Sequence, residues 1–213
     1  MSDDWRSRAS CLLADPRRQV PGTSDPHDAD KFMHFIQTNL EGAWIVQLQP
    51  HQDDRGLFAR TYCAQEFSDH GLANSFVQCN TSWNARKGTI RGLHYQAPPS
   101  SEAKLVRCTA GALLDVIVDL RPASPTYLGT YSVELTAANR LALYIPELFA
   151  HGFQTLEDST EVFYQMSEFY EPKLGRGLRY DDPELGINWP LSVASISAQD
   201  LSWPLLSERA NRG

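Results

Sequence analysis

A chain of 213 residues with 42% hydrophobic and 21% charged content reads as one folded domain and argues against wholesale disorder. Its 19 Lys and Arg against 26 Asp and Glu leave a formal net charge of −7, which argues against a general nucleic-acid or anionic-membrane binder, because phosphate binding needs a surplus of cations. That balance still allows a small basic pocket.

The start, MSDDWRSRAS, has no apolar h-region, and no apolar run approaches the ~20 residues of a membrane span. The four cysteines, Cys11, Cys63, Cys79 and Cys108, form no CxxC pair, so neither a zinc ribbon nor a thioredoxin-type motif is present. Scattered single thiols suit burial as small apolar groups in a reducing compartment. The expectation is a cytoplasmic protein without membrane contact.

Residues 1–30 read as a tail, poorly ordered or loosely docked. Pro16, Pro21, Gly22 and Pro26 interrupt them, and one short apolar cluster buries too little to offset the entropy of ordering. A single domain is expected over 31–213. Strand-like runs cover 43–48 and 75–79, and a short helix covers 64–70, ending near Gly71. Runs at 105–109 and 112–120 flank Ala110-Gly111, which reads as a hairpin turn. Further runs follow at 127–135, 141–145 and 160–170, the last rich in Val, Phe and Tyr. Many short strands and few helices predict an all-β fold, an antiparallel sandwich or barrel of the jelly-roll type.

Chemistry-bearing residues gather in a few places. Arg91 and His94 lie within Gly88-Thr89-Ile90-Arg91-Gly92-Leu93-His94-Tyr95-Gln96. A regular strand would put them on opposite faces, whereas a bulge at Gly92 would turn both into one cavity. The bland alternative is a satisfied buried His and a surface Arg. Lys104 opens a strand of apolar companions. It either faces solvent or, inside a barrel, must meet an anion or a developing negative charge. His151 sits between small residues and aromatics. A jelly-roll metal site needs a His-x-His pair with Glu and a further His, but Gln96 stands two residues after His94, so no metal site is expected. Tyr164 and Tyr170 share a face if one strand carries both. Asp200, alone, reads as a solvated residue at a helix start.

Seven segments in order, DDRGLF (53–58), QCNTS (78–82), RGLHYQ (91–96), EAKLVRCTAGALLDVIVDLRPASPTY (102–127), FAHGF (149–153), YDDPELGINWP (180–190) and ISAQD (196–200), resemble the sugar-nucleotide epimerases typified by dTDP-4-dehydrorhamnose 3,5-epimerase. The resemblance spans about residues 33–206. It implies a cupin-type jelly-roll β-barrel with a few short helices, a homodimer, and no metal or organic cofactor. It also implies that the chain inverts C3 and/or C5 of an NDP-4-keto-6-deoxyhexose by proton abstraction and opposite-face reprotonation, in deoxysugar and polysaccharide biosynthesis. His94 matches the base, Asp200 the acid that orients its ring, Tyr164 the opposite-face donor and Lys104 the cation beside the ketone. Arg55, Phe58, Gln78, Asn80, Arg91, His151 and Tyr170 match substrate contacts, Tyr170 by stacking on the nucleotide base. The DDRGLF segment is expected to approach the neighbour's pocket in the dimer.

The chain departs from that pattern at Arg60 and Gly175, where acids are usual, at Gln199, where Lys is usual, and at Leu148, where Gly is common. The first three bear on the nucleotide end and point to a relaxed preference for thymidine. Two other readings are a ketoisomerase of related jelly-roll form and a non-catalytic sugar-nucleotide binding module. The ketoisomerase normally uses paired strand histidines, and the binding module would not need all three proton-transfer residues.

Overall fold

The computed structural model describes residues 33–210, so the expected tail at 1–30 lies outside the described residues. Thirteen strands and three short helices follow in chain order: β1 (Met33–Gln37), β2 (Trp44–Leu48), β3 (His51–Asp53), β4 (Gly56–Phe58), α1 (Ala64–Asp69), β5 (Gln78–Asn84), β6 (Ile90–Gln96), β7 (Lys104–Ala110), β8 (Ala112–Asp119), β9 (Thr130–Thr136), β10 (Ala142–Ile145), β11 (Phe149–Thr155), β12 (Thr160–Met166), β13 (Gly175–Gly177), α2 (Ala198–Ser202) and α3 (Leu206–Ala210).

Two antiparallel sheets face each other. One has six strands in the order β1-β2-β10-β7-β12-β5, the other five in the order β13-β6-β11-β8-β9, and β3 and β4 form a separate hairpin. From β5 to β8 the chain alternates between the two sheets, and it does so again from β9 to β13. This is the jelly roll that the strand pattern predicts.

The alternation overturns one expectation. Ala110-Gly111 is not a hairpin turn. β7 pairs with β10 and β12, whereas β8 pairs with β11 and β9, so this turn carries the chain from one sheet to the other. Gly111 is required there: its φ is +73°, and a Cβ would sit 2.6 Å from Thr160 Oγ1.

The inner faces meet in a core of Val106, Leu113, Ile117, Leu135, Leu143, Phe149, Phe153 and Val162. Both sheets are also covered outside. Phe67 of α1 and Phe76 pack with Val46, Leu105 and Tyr144 on the six-stranded sheet. Leu178, Leu185, Ile187 and Trp189 pack with Leu93, Val116 and Val118 on the other. Strands buried on two faces lose their alternation: β8 reads as a nearly continuous apolar run, and β11 is buried at every position although His151, Gln154 and Thr155 are polar. A hydrogen-bonded corner follows β8 around the buried Asp119. Asp119 accepts hydrogen bonds from Arg121, Ser124 and Thr126, and the Arg121 guanidinium lies 4.8 Å over the Phe149 ring.

Candidate active site

The site grows from a break in β6. Leu93 points into the outer apolar layer, while His94 lies directly across from His151 of β11. The register shifts between His151 and Phe153, and Arg91 then pairs with Phe153. Gly92 makes the shift possible. Its φ is +120°, and a Cβ on it would come within 2.5 Å of Gly152 Cα. Gly152 is equally confined, since its Cβ would lie 2.7 Å from the Arg91 carbonyl oxygen. Two glycines back to back let two strands approach closely enough for the bulge. Arg91 and His94 therefore border one cavity of about 500 Å³, as the bulge reading predicts.

Asp200 reaches this cavity from the C-terminal segment. The Ser197 side chain caps α2 by accepting the Asp200 N–H at 3.0 Å, which sets Asp200 in the first turn. The carboxylate is not solvated, as an isolated reading of ISAQD expects, but 3% exposed. Oδ1 lies 2.6 Å from His94 Nε2, and Oδ2 accepts the Gly92 N–H at 3.4 Å. Burial raises the tendency of Asp200 to take up a proton. The hydrogen bond and charge of His94, with the Gly92 N–H and Ser197, outweigh that and hold the carboxyl below its usual range. A carboxylate only accepts, so Nε2 is the protonated nitrogen of neutral His94 and Nδ1 carries the lone pair.

The opposite sheet supplies the other groups. Tyr164 of β12 lies across from Val106 and Asn80, with its ring against the core and its edge in the cavity wall. Burial pushes its phenol up; Arg91 opposes this and Glu102 adds to it. Lys104 opens β7 and faces the cavity rather than solvent. Its ammonium lies 3.0 Å from Glu102 Oε1, and the side chain is 12% exposed. On the His94 side, His151 Nε2 lies 2.6 Å from Asp115 Oδ1, and Asp115 is fully buried.

His94, Asp200, Tyr164, Lys104, Arg91 and His151 thus share one cavity. The remaining candidates lie outside its wall. Gln78 and Asn80 sit on edge strand β5, and Gln78 Oε1 accepts the Tyr170 N–H at 3.2 Å. Tyr170 does not share a strand face with Tyr164, because β12 ends at Met166 and Tyr170 follows it, 59% exposed. Arg55 and Phe58 border a separate open depression on the β3–β4 hairpin, with Arg55 paired to Asp53. Among the described residues no group of three or more His, Cys, Asp or Glu is placed to hold a metal ion, and no helix is long and apolar enough to cross a membrane.

The departures divide. Arg60 Nη1 lies 3.0 Å from Glu66 Oε1, which pairs its charge with the helix α1 that follows it. Gly175 pairs with Gln96, and Gln199 lines the cavity. Leu148 takes φ +60°, in the left-handed region that glycine enters without strain. Sequence reasoning missed two residues of the site, Asp115 and Glu102. Asp115 had a signal: it is an acid in the middle of the otherwise apolar ALLDVIV, on the inward register of Leu113 and Ile117. Glu102 had none beyond its two-residue spacing from Lys104.

The jelly roll thus sets a His–carboxylate pair on one side of the cavity and a partly buried tyrosine on the other. A family profile described as dTDP-4-dehydrorhamnose 3,5-epimerase matches residues 37–208. A dTDP-4-dehydrorhamnose 3,5-epimerase of Methanothermobacter thermautotrophicus is 42% identical over 177 residues, covering 82% of this chain and 95% of the relative. The crystal structure of the Bacillus anthracis enzyme of that name, with TDP and pyrophosphate bound, superposes with a TM-score of 0.79 at 41% identity, covering 82% of this chain and 99% of the other. A Legionella pneumophila dTDP-6-deoxy-D-glucose-3,5-epimerase in complex with dTDP-4-keto-L-rhamnose gives 0.77 at 35% identity, covering 82% and 93%. The chain belongs to the dTDP-4-dehydrorhamnose 3,5-epimerase family, and its fold is the cupin-type jelly roll.

Proposed function

We propose that this chain is an epimerase that inverts C3 and/or C5 of a dTDP-linked 4-keto-6-deoxyhexose. The observation that carries the reading is the placement of the His94–Asp200 pair and Tyr164 on facing sheets around one cavity. A 4-keto sugar has acidic C–H bonds beside its ketone, because the carbanion delocalises into the carbonyl. The substrate is its own electron sink and needs no organic cofactor. His94 Nδ1 takes the proton, and Asp200 holds the tautomer and stabilises the imidazolium. Negative charge grows on the C4 oxygen, where the Lys104 ammonium meets it. Tyr164, kept protonated by burial, returns a proton to the other face.

Arg91 and His151 hold the sugar and the diphosphate beside it. Gln78, Asn80 and Tyr170, beyond the cavity wall, take the nucleotide. Arg55 and Phe58 serve the neighbour's pocket in a homodimer, a role that suits an exposed hairpin with Phe58 73% exposed. Three free thiols among the described residues, Cys63, Cys79 and Cys108, accord with a cytoplasmic protein. Solvent deuterium exchange, followed by NMR at C3 and C5 of dTDP-, UDP-, CDP- and GDP-linked 4-keto sugars, tests the reading. Exchange at neither carbon of any of them would overturn it.

A further inference from the structure

Glu102 has no part in the steps above, yet it is one of the most enclosed acids near the cavity. Its side chain is 9% exposed, and Oε1 lies 3.0 Å from Lys104 Nζ. An acid buried to that degree is costly unless paired, and Lys104 is the partner that offsets the cost. The backbone between the two is clamped. The Ala103 N–H donates to Ser167 Oγ at 2.8 Å, and the Ser167 N–H donates to the Ala103 carbonyl at 3.0 Å. Residues two apart on an extended backbone point the same way, so the clamp presents Glu102 and Lys104 side by side. Lys is a flexible four-carbon stem with a point charge at its end. Left alone, its ammonium would sample many positions along the wall.

We propose that Glu102 is a positioning residue that fixes the Lys104 ammonium where charge develops on the substrate ketone. The inference rests on the epimerase reading. Glu102 also bears on Tyr164 of the adjacent strand, adding to the burial that keeps its phenol protonated. Arg91 opposes that influence, and His94, His151 and Asp200 are the other titratable groups around the cavity.

The test uses the full chain with the dTDP-linked 4-keto sugar and compares Glu102→Ala, Glu102→Gln and the unsubstituted protein. Glu102→Ala is expected to lower kcat by about tenfold, or about 1.4 kcal/mol of barrier, with KM changed by less than about threefold. Glu102→Gln keeps an acceptor for Lys104 and is expected to recover most of kcat at neutral pH. Its alkaline limb of kcat/KM should move to lower pH, because Tyr164 loses the negative neighbour that helped hold its proton. A purely structural role would lower thermal stability and leave that limb in place. If Glu102→Ala fails to fold, the near-isosteric Gln variant and its pH profile decide. Normal exchange with kcat within about twofold in both variants and an unmoved limb would overturn the role of Glu102 alone. No exchange in the unsubstituted protein would overturn the parent reading, and this inference with it.

Discussion

Two His–carboxylate pairs with the same 2.6 Å contact face each other across the β6–β11 ladder, and they live in different surroundings. In His94–Asp200 the imidazole is 45% exposed to the cavity, and the acid comes from a short capped helix near the C-terminus. In His151–Asp115 the imidazole is 10% exposed, and the acid stands in the middle of a central strand with no exposure at all. The same bond has different consequences. A half-open imidazole can move against a substrate carbon and exchange protons. A walled-in imidazole on a rigid strand holds what it touches. Asp115 leaves its second oxygen without a hydrogen-bond partner among the described residues, whereas Asp200 uses both of its own. Of the two carboxylates only that of Asp200 has both oxygens hydrogen-bonded, and the proposed reaction assigns proton abstraction to its imidazole.

The largest test of that contrast is removal of each imidazole. His94→Ala is expected to abolish measurable C–H exchange, a loss of about 10³-fold, while dTDP binding stays within a few-fold. His151→Ala is expected to raise KM more than it lowers kcat. Exchange followed by NMR and dTDP titration read both outcomes. Near-normal exchange in His94→Ala would reverse the assignment of the two pairs.

Next come the acids. Asp200→Asn is expected to cut turnover by about 10²-fold, because the amide can turn its NH2 to the imidazole and hold the wrong tautomer, and carries no charge to stabilise the imidazolium. It should also flatten the acid side of the stability curve. The folded-state carboxyl of Asp200 lies below its unfolded value, so its contribution is present above about pH 4 and is lost as pH falls through the depressed folded value. Asp115→Asn keeps an acceptor for His151 and is expected to retain exchange within about tenfold, with thermal stability lowered by about 1–2 kcal/mol. Melting curves from pH 7 to pH 3 beside turnover measurements check the pair. Equal turnover losses at both positions would erase the distinction between them.

Tyr164→Phe sharpens the comparison from the other sheet. The ring still packs, but the donor is gone. Exchange at the first carbon is expected to survive better than net inversion, because His94 can remove and return a proton on its own face. Equal losses of exchange and inversion would make Tyr164 a positioning group only.

How much of this was legible beforehand depends on what each feature rests on. The jelly roll could be read because short β-rich runs separated by turn residues leave few alternatives, and the role of Gly92 because no other residue tolerates that bulge. The Ala110-Gly111 connection was misread as a hairpin because a turn residue marks where a chain bends, not which sheet it joins next. Strand β11 escaped notice because burial on both faces erased its alternation, and the shortening of β12 at Met166 because Phe169 and Tyr170 are as strand-prone as the residues before them. Asp200 looked solvated because its partner lies 106 residues away, a pairing that only the fold creates. The Arg60–Glu66 pair was not legible either, because only the fold shows that α1 turns Glu66 toward Arg60.

The Arg60–Glu66 pair also sets where the smallest effect is expected. Of the three charge departures, Arg60 is tied to Glu66, so Arg60→Glu would set two carboxylates together and disturb α1 before it said anything about nucleotides. Gln199 is the cleaner probe. It is exposed, lines the cavity and directly precedes the half of the first dyad that α2 supplies. A lysine there would add a cation near a diphosphate, but an exposed charge is screened within about 10 Å in ordinary salt, and exposed pairs contribute about 0–1 kcal/mol. Gln199→Lys is therefore expected to tighten dTDP and UDP alike by less than about fivefold at low salt, with the gain fading as salt rises, and to leave their ratio unchanged. Titrations of both nucleotides at two ionic strengths read the result. A selective gain for dTDP above about tenfold, roughly 1.4 kcal/mol, would mean that this position reads the base, and that the chain as it stands has a relaxed nucleotide preference. A uniform, salt-sensitive gain would place base discrimination elsewhere, with Gln78, Asn80 and Tyr170 on the β5 side the next positions to substitute.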